Sequence, residues 1–187
     1  MAGSPGLRSR FARQLGDLHD EVVELGVRSR QAVAKAVQAL EERNADLARE
    51  VVEGDAEINS LRFDVEKQCY ALMATEQPVA GDLRTLVAGL IVAMEMERIG
   101  DHGKKIARTY LRMEDNPRWL ASDPVQRLAE EALVLLDRAL QVYTQRDSEQ
   151  AAEVCRADDR VDALYKQTFN ILVEYMIEDP RLIGPAS

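Results

Sequence analysis

The sequence predicts an all-α protein, and three observations carry that prediction. Hydrophobic residues make up 46% of the 187-residue chain but aromatics only 5%, a balance rich in Ala, Leu, Glu and Arg that suits helices. Apolar residues recur in alternating steps of four and three over long stretches. No run alternates apolar with polar residues as a half-buried strand does. The larger plan is two repeated antiparallel three-helix bundles, residues 7–115 and 121–187, the second one truncated to two helices.

The first helix is expected from Leu7, where Phe11, Leu15, Leu18, Val22, Leu25, Ser29, Ala32, Ala36 and Leu40 follow a heptad seam. At 1.5 Å per residue it would reach roughly 50 Å, so its neighbours must be equally long. Asn44 suits the cap of a second helix. Its seam runs Ala48, Val51, Asp55, Ile58, Arg62, Val65, Cys69, Leu72 and ends at Gln77-Pro78. Asp82 suits the cap of a third helix, ending near Met113 before Asp115-Asn116-Pro117. A fourth opens after Ser122-Asp123-Pro124, with proline at a permitted first-turn position, and runs to Tyr143. A fifth begins near Asp147, carries Ala151, Val154, Asp158, Val161, Tyr165, Thr168, Leu172 and Tyr175, and stops at Glu178-Asp179-Pro180.

The second and fifth helices can be laid over each other, residues 54–61 against 157–164, which makes an internal repeat of about a hundred residues. The first unit has all three helices. The second stops at Leu182-Ile183-Gly184-Pro185, where its third helix would start. Two helices without a third leave apolar stripes uncovered, and a second copy of the chain, in a homodimer, is the expected cover.

Bulk charge excludes some functions. The formal charge is −9, from 33 acidic and 24 basic residues, which argues against a nucleic-acid partner. Cys69 and Cys155 have no close Cys or His partner, which fits a reducing compartment with both as small core residues. The N-terminus lacks an apolar core of signal-peptide length, and nowhere do eighteen apolar residues run uninterrupted. The expectation is a cytoplasmic chain that meets a membrane only through partners.

Chemistry enters where acids take seam positions. Stepping along the third helix through Leu83, Val87, Leu90 and Met94 leads to Glu97 and Asp101, where leucines belong. A carboxylate taken out of water needs a cation, a metal or several donors. Three pairs at i, i+4 put both members on one face: Asp55 with Asn59, Glu97 with Asp101, and Asp158 with Asp162. Converging carboxylates suit hard cations, and iron or manganese. A buried ion pair with Arg62, Arg84 or Arg98 meets the same need. His102 is a further potential ligand, while Lys104, Lys105, Arg108 and Arg112 suit the negative end of the helix. No Glu-x-x-His pair, phosphate loop or nucleophile elbow is present, so catalysis has little support.

The block EQPVAGDLR from Glu76 to Arg84, followed by ERIGDH from Glu97 to His102, resembles the signature of PhoU-type phosphate-signalling regulators. The resemblance extends through MIEDP at Met176 to Pro180 and covers nearly the whole chain. It implies a non-enzymatic cytoplasmic protein, a negative regulator of phosphate uptake and of the phosphate-starvation response. Its implied partners are the ATPase of a phosphate ABC transporter and a sensor histidine kinase. It also implies iron, or another divalent metal such as manganese, magnesium or zinc, at Asp55, Glu97, Asp101, Asp158 and Asp162. Asn59 departs from the acidic pattern, and the absent sixth helix would leave a second cluster incomplete. The carboxylates alone also admit a metal-dependent enzyme or a metal-storage bundle, and the seams alone a coiled-coil assembly protein.

Overall fold

The computed structural model describes residues 5–113 and 122–178, and these are all-α. Five helices follow in chain order among them: α1 (Pro5–Glu42), α2 (Ala45–Glu76), α3 (Gly81–Arg112), α4 (Asp123–Gln145) and α5 (Ser148–Glu178). The expected breaks at Asp115-Asn116-Pro117, Asp179-Pro180 and Leu182–Pro185 lie outside the described residues. Helices α1, α2 and α3 pack on one another, and α4 packs on α5 and along α1.

The turns explain where the helices stop. After α1, Arg43 takes the left-handed conformation, with φ 55°, and the Asn44 N–H donates to Ala39 O at 2.9 Å. This is the closure that ends many helices, with arginine where glycine is usual. Asn44 then caps α2, its Oδ1 accepting from the Leu47 N–H at 3.0 Å. The α4–α5 turn repeats the device. Arg146 has φ 55°, the Asp147 N–H donates to Val142 O at 3.2 Å, and Asp147 Oδ1 accepts from the N–H groups of Glu149 and Gln150. Hydrogen bonds from Gln150, backbone and side chain, and then from the Glu149 N–H hold the Asp147 carboxyl below the usual aspartate range.

Asp82 is not the cap of α3. Ala80 occupies that position without a side-chain hydrogen bond, and Asp82 sits in the first turn, where the helix dipole favours its charge. Pro124 stands in the first turn of α4 after Ser122, as the sequence predicts.

The core lies among α1–α3 in two apolar parts. One joins Leu18, Val22 and Leu25 to Ile58, Val65, Cys69, Leu72, Leu86 and Ala93. The other joins Ala36, Ala39 and Leu40 to Ala48, Val51, Ala107 and Tyr110. The α1 and α2 seams hold: Leu18, Val22, Leu25, Ser29, Ala36 and Leu40 are buried on α1, and every α2 seam residue but the half-buried Arg62 is buried. Burying a Leu or Val side chain contributes about 1.5–3 kcal/mol, so these seams carry most of the unit's stability.

The seam of α3 runs elsewhere than the acids suggested. Its buried line is Leu86, Gly89, Ala93, Gly100, Gly103, Ala107 and Tyr110, whereas Leu83, Val87 and Met94 are exposed. Close approach is the reason. A Cβ on Gly103 would stand 2.9 Å from the backbone of Ala32 and Val33, and one on Gly100 would stand 3.0 Å from Ile58. Each helical glycine costs about 1 kcal/mol relative to alanine, and the tight α1–α3 contact offsets that cost.

Helix α4 joins the first unit through α1. Gly26 lets Leu140 approach so closely that a Cβ there would stand 2.3 Å from Leu140 Cδ2. Arg30 donates two hydrogen bonds to Asp137, both 2.9 Å, and His19 stacks on Tyr143 at 4.9 Å between ring centroids. Thr168 of α5 donates to Pro124 O at 3.3 Å.

Candidate functional site

A polar layer separates the two parts of the core. The apolar cluster at one end stops at Leu25, Ile58 and Ala93, and the other starts at Ala36, Val51 and Ala107. Between them stand Ser29, Asp55, Gly100 and Lys104, one or two residues from each helix. Glycine at position 100 makes the layer narrow, since a Cβ there would come within 3.3 Å of Ser29 Oγ. Ser29 is fully buried, and its Oγ has no hydrogen-bond partner among the described residues.

Asp55 is the acid the sequence places in the α2 seam, and it is 6% exposed. Its charge is met by Lys104 of α3, which donates to Oδ2. Asn59 donates to the same oxygen at 2.8 Å and to the Asp55 backbone oxygen at 2.9 Å. Asn59, a poor metal ligand, is therefore a good donor, because its amide can do what a second carboxylate could not. The cation differs from the expectation. Arg62 pairs with Glu66 and Arg98 with Glu95, while Lys104 reaches Asp55. Its place is readable, since it continues the four-three stepping after Glu97 and Asp101.

Glu97 and Asp101 lie together on α3, both half-buried. Asp101 pairs with Lys105 at 2.7 Å, and that hydrogen bond holds its carboxyl below the usual aspartate range. In the second unit Asp158 and Asp162 are exposed, so no seam there takes a carboxylate out of water. Asp162 does line a cavity of about 710 Å³ between α1, α3, α4 and α5, which His102 and Lys105 also line.

As arranged, the six residues Asp55, Asn59, Glu97, Asp101, Asp158 and Asp162 do not form one ligand set. Among the described residues no three His, Cys, Asp or Glu side chains are placed to hold a metal ion. Asp55 already has an ammonium and an amide on one oxygen. Asp55 and Asp101 thus each have a lysine as counter-charge in this geometry, while Glu97 makes no ion pair among the described residues.

Sequence reasoning misses three members of the layer. Ser29 reads as an ordinary seam position, Lys104 as a dipole partner, and Gly100 only as a motif letter. The signal for Gly100 and Gly103 is the line of small residues at helical spacing, Gly89, Ala93, Gly100, Gly103 and Ala107.

Comparison with known proteins agrees with this architecture. The PhoU domain model matches residues 22–109 and 125–184. The phosphate-specific transport system accessory protein PhoU homolog of Rhizobium meliloti (strain 1021) is 34% identical over 183 residues, 97% of this chain and 77% of that protein. The homolog of Aquifex aeolicus (strain VF5) is 31% identical over 177 residues, 95% of this chain and 80% of that protein. The crystal structure of PhoU from Pseudomonas aeruginosa superposes with a TM-score of 0.86 at 30% identity, covering 94% of this chain and 84% of that one. With matched stretches that span most of its length and share its helices, the chain belongs to the PhoU domain family.

Proposed function

We propose that this protein is a non-enzymatic, cytoplasmic negative regulator of phosphate uptake and of phosphate-starvation signalling, bridging a phosphate ABC transporter ATPase and a sensor histidine kinase. The observation that carries the reading is the near full-length match to phosphate-specific transport accessory proteins, over a span that includes the inter-helix layer. No helix among the described residues is long and apolar enough to cross a membrane, so the proposed link to a transporter runs through protein contacts. Deleting the gene tests the reading. Phosphate-replete cells should then show raised alkaline phosphatase and deregulated phosphate uptake, and unchanged values of both would refute it. Co-purification of the transporter ATPase and of the kinase tests the bridge separately.

A homodimer belongs to the same proposal. It is supported by the sparse burial of α4 and α5, with Val134, Tyr165, Phe169, Tyr175 and Ile177 exposed. Light scattering should give twice the monomer mass, and a monomer that binds no apolar dye would refute it. A surface metal, iron or another divalent ion, is a second reading, favoured by Glu97 and Asp101 lying four residues apart at an open helix face. It requires stoichiometric metal in protein purified without chelator, lost in Glu97→Gln and Asp101→Asn.

A further inference from the structure

The outer side of α3 carries one continuous line of exposed residues that the core does not use. Val87, Ile91 and Met94, 41%, 54% and 50% exposed, step onward by four and three to Arg98, Lys105, Arg108 and Arg112, all exposed, with Asp101 between them. One half of the line is apolar and the other half is basic.

Helix α2 widens the apolar half. Three contacts, Asp55 with Lys104, Ile58 beside Gly100 and the Cys69 thiol donating to Leu86 O at 3.7 Å, fix the antiparallel register. That register sets Phe63 level with Met94, and Tyr70 level with Val87. Both lie on the flank of α2 away from the α1 side, which Glu50, Glu57 and Gln68 mark by bonding to α1. Phe63 is 56% and Tyr70 54% exposed. Half-exposed aromatics and aliphatics in this number present on the order of 500 Å², the size at which the largest apolar patch of a monomer is often functional.

Charge indicates what would cover the face. Beside the apolar half, Arg62 is held by Glu66 and lies 3.8 Å over the Phe63 ring, and Glu66 also accepts from the Tyr70 hydroxyl, so these charges satisfy one another. In the basic half, Asp101 neutralises Lys105 and Glu95 holds Arg98, whereas Arg108 and Arg112 make no ion pair among the described residues. Glu97 beside this half also makes no ion pair among the described residues, so with Arg108 and Arg112 set against it the uncompensated charge on the face is net positive, on a chain whose formal charge is −9.

We propose that the outer face of α2 and α3 docks an amphipathic helix of a partner protein, with an apolar stripe along one half and acidic residues continuing that stripe along the other. The cations occupy a strip one helix wide, which suits a helix laid alongside better than a lipid surface, and the acidic remainder of the chain opposes anionic lipid. A second copy fits poorly. An antiparallel two-fold would lay the basic half on the apolar half, and a parallel one would set cation on cation. The inference concerns the surface and its ligand chemistry, and it is independent of the regulator reading.

The test uses two helical peptides with the same leucine stripe, one continued by glutamates and one by lysines, and reads binding by fluorescence anisotropy. The glutamate peptide should bind, and the lysine peptide should bind at least about tenfold more weakly. Ile91→Glu should weaken the glutamate peptide about tenfold, and the double change Arg108→Glu with Arg112→Glu should do so by a similar factor with loss of salt dependence. Unchanged circular dichroism should confirm that these exposed changes leave the fold intact. Equal binding of the two peptides, or no response to Ile91→Glu, would overturn the proposal. So would binding to phosphatidylglycerol vesicles without binding of the glutamate peptide, or a doubled mass abolished by Ile91→Glu.

Discussion

The turns at Arg43-Asn44 and Arg146-Asp147 are built alike, yet the helices they start are buried to very different extents. Helix α2 has seven buried residues and α3 has seven, whereas α4 has Leu140 and α5 has Thr168. Both stretches match the same domain model and carry similar apolar stepping. The difference is the third helix. In the first unit α3 closes the groove between α1 and α2, which takes seam residues out of water, Asp55 included. Helix α1 packs along α4, but among the described residues none closes the groove between α4 and α5 in this way, and Asp158 at the matching position stays exposed. Local sequence makes the helix and the turn, but burial of a given seam residue is a property of the neighbour that arrives.

The largest contrast between the two units should appear in thiol reactivity. Burial pushes the Cys69 thiol up to about 11, while Cys155 is exposed on α5. At pH 8 Cys69 would then be about one part in a thousand thiolate, before any loss of access. Native protein should react with a thiol reagent at Cys155 within minutes and at Cys69 only on unfolding. Fast labelling of both would mean that the first unit opens as readily as the second.

Next in size is overpacking at the α1–α3 contact. Gly103→Leu drives a side chain into the backbone of Ala32 and Val33 and should lower stability by about 3 kcal/mol, read as a fall in the urea midpoint. A Cβ on Gly54 would meet nothing within 4 Å, so Gly54→Ala should hold or raise the midpoint. Equal losses at the two sites would mean that the helix contact is looser than its geometry implies.

Breaking the polar layer should cost less. Asp55→Ala strands Lys104, whose side chain is 20% exposed, and should destabilise by about 2 kcal/mol, short of the full penalty for a buried unpaired charge. The double change Asp55→Leu with Lys104→Met should recover most of that loss. Asp158→Ala on exposed α5 should leave the unfolding midpoint unchanged. If it matched Asp55→Ala, the second unit would be closed in solution by a helix from elsewhere.

The smallest effect concerns the α5 cap. Because Asp147 titrates lower when folded than unfolded, its contribution is fully present above the usual aspartate range. That contribution is lost as pH falls through the depressed value. The stability difference between wild type and Asp147→Ala should therefore be constant near neutrality and vanish in strong acid. A difference that persists in acid would show that the cap acts through something other than its charge.

Much of this is legible in the residues. Asn44, Pro78, Pro124 and Asp147 mark helix ends because capping and proline sterics act within a few residues. The seams of α1 and α2 are readable because large apolar side chains at helical spacing point to one face. On α3 the same rule selects the wrong face. Between Leu86 and Tyr110 its inner line is glycine and alanine, which hydrophobicity ranks low, and its outer line holds the Leu, Val and Met that hydrophobicity ranks high. The acids at Asp55, Glu97 and Asp101 stand out as anomalies, but the counter-charge of Asp55 does not, since an ion pair between helices depends on register.

The all-α class, the helix ends and the presence of charge in a seam thus follow from the order of residues alone, because each depends on spacing and on contacts within one or two turns. Three outcomes had to wait for the helices to pack: that Lys104 is the counter-charge of Asp55, that Gly100 and Gly103 bring α1 and α3 together, and that the apolar line of α3 faces outward. Those outcomes depend on which helices meet and at what distance, and side chains far apart in the chain settle that jointly.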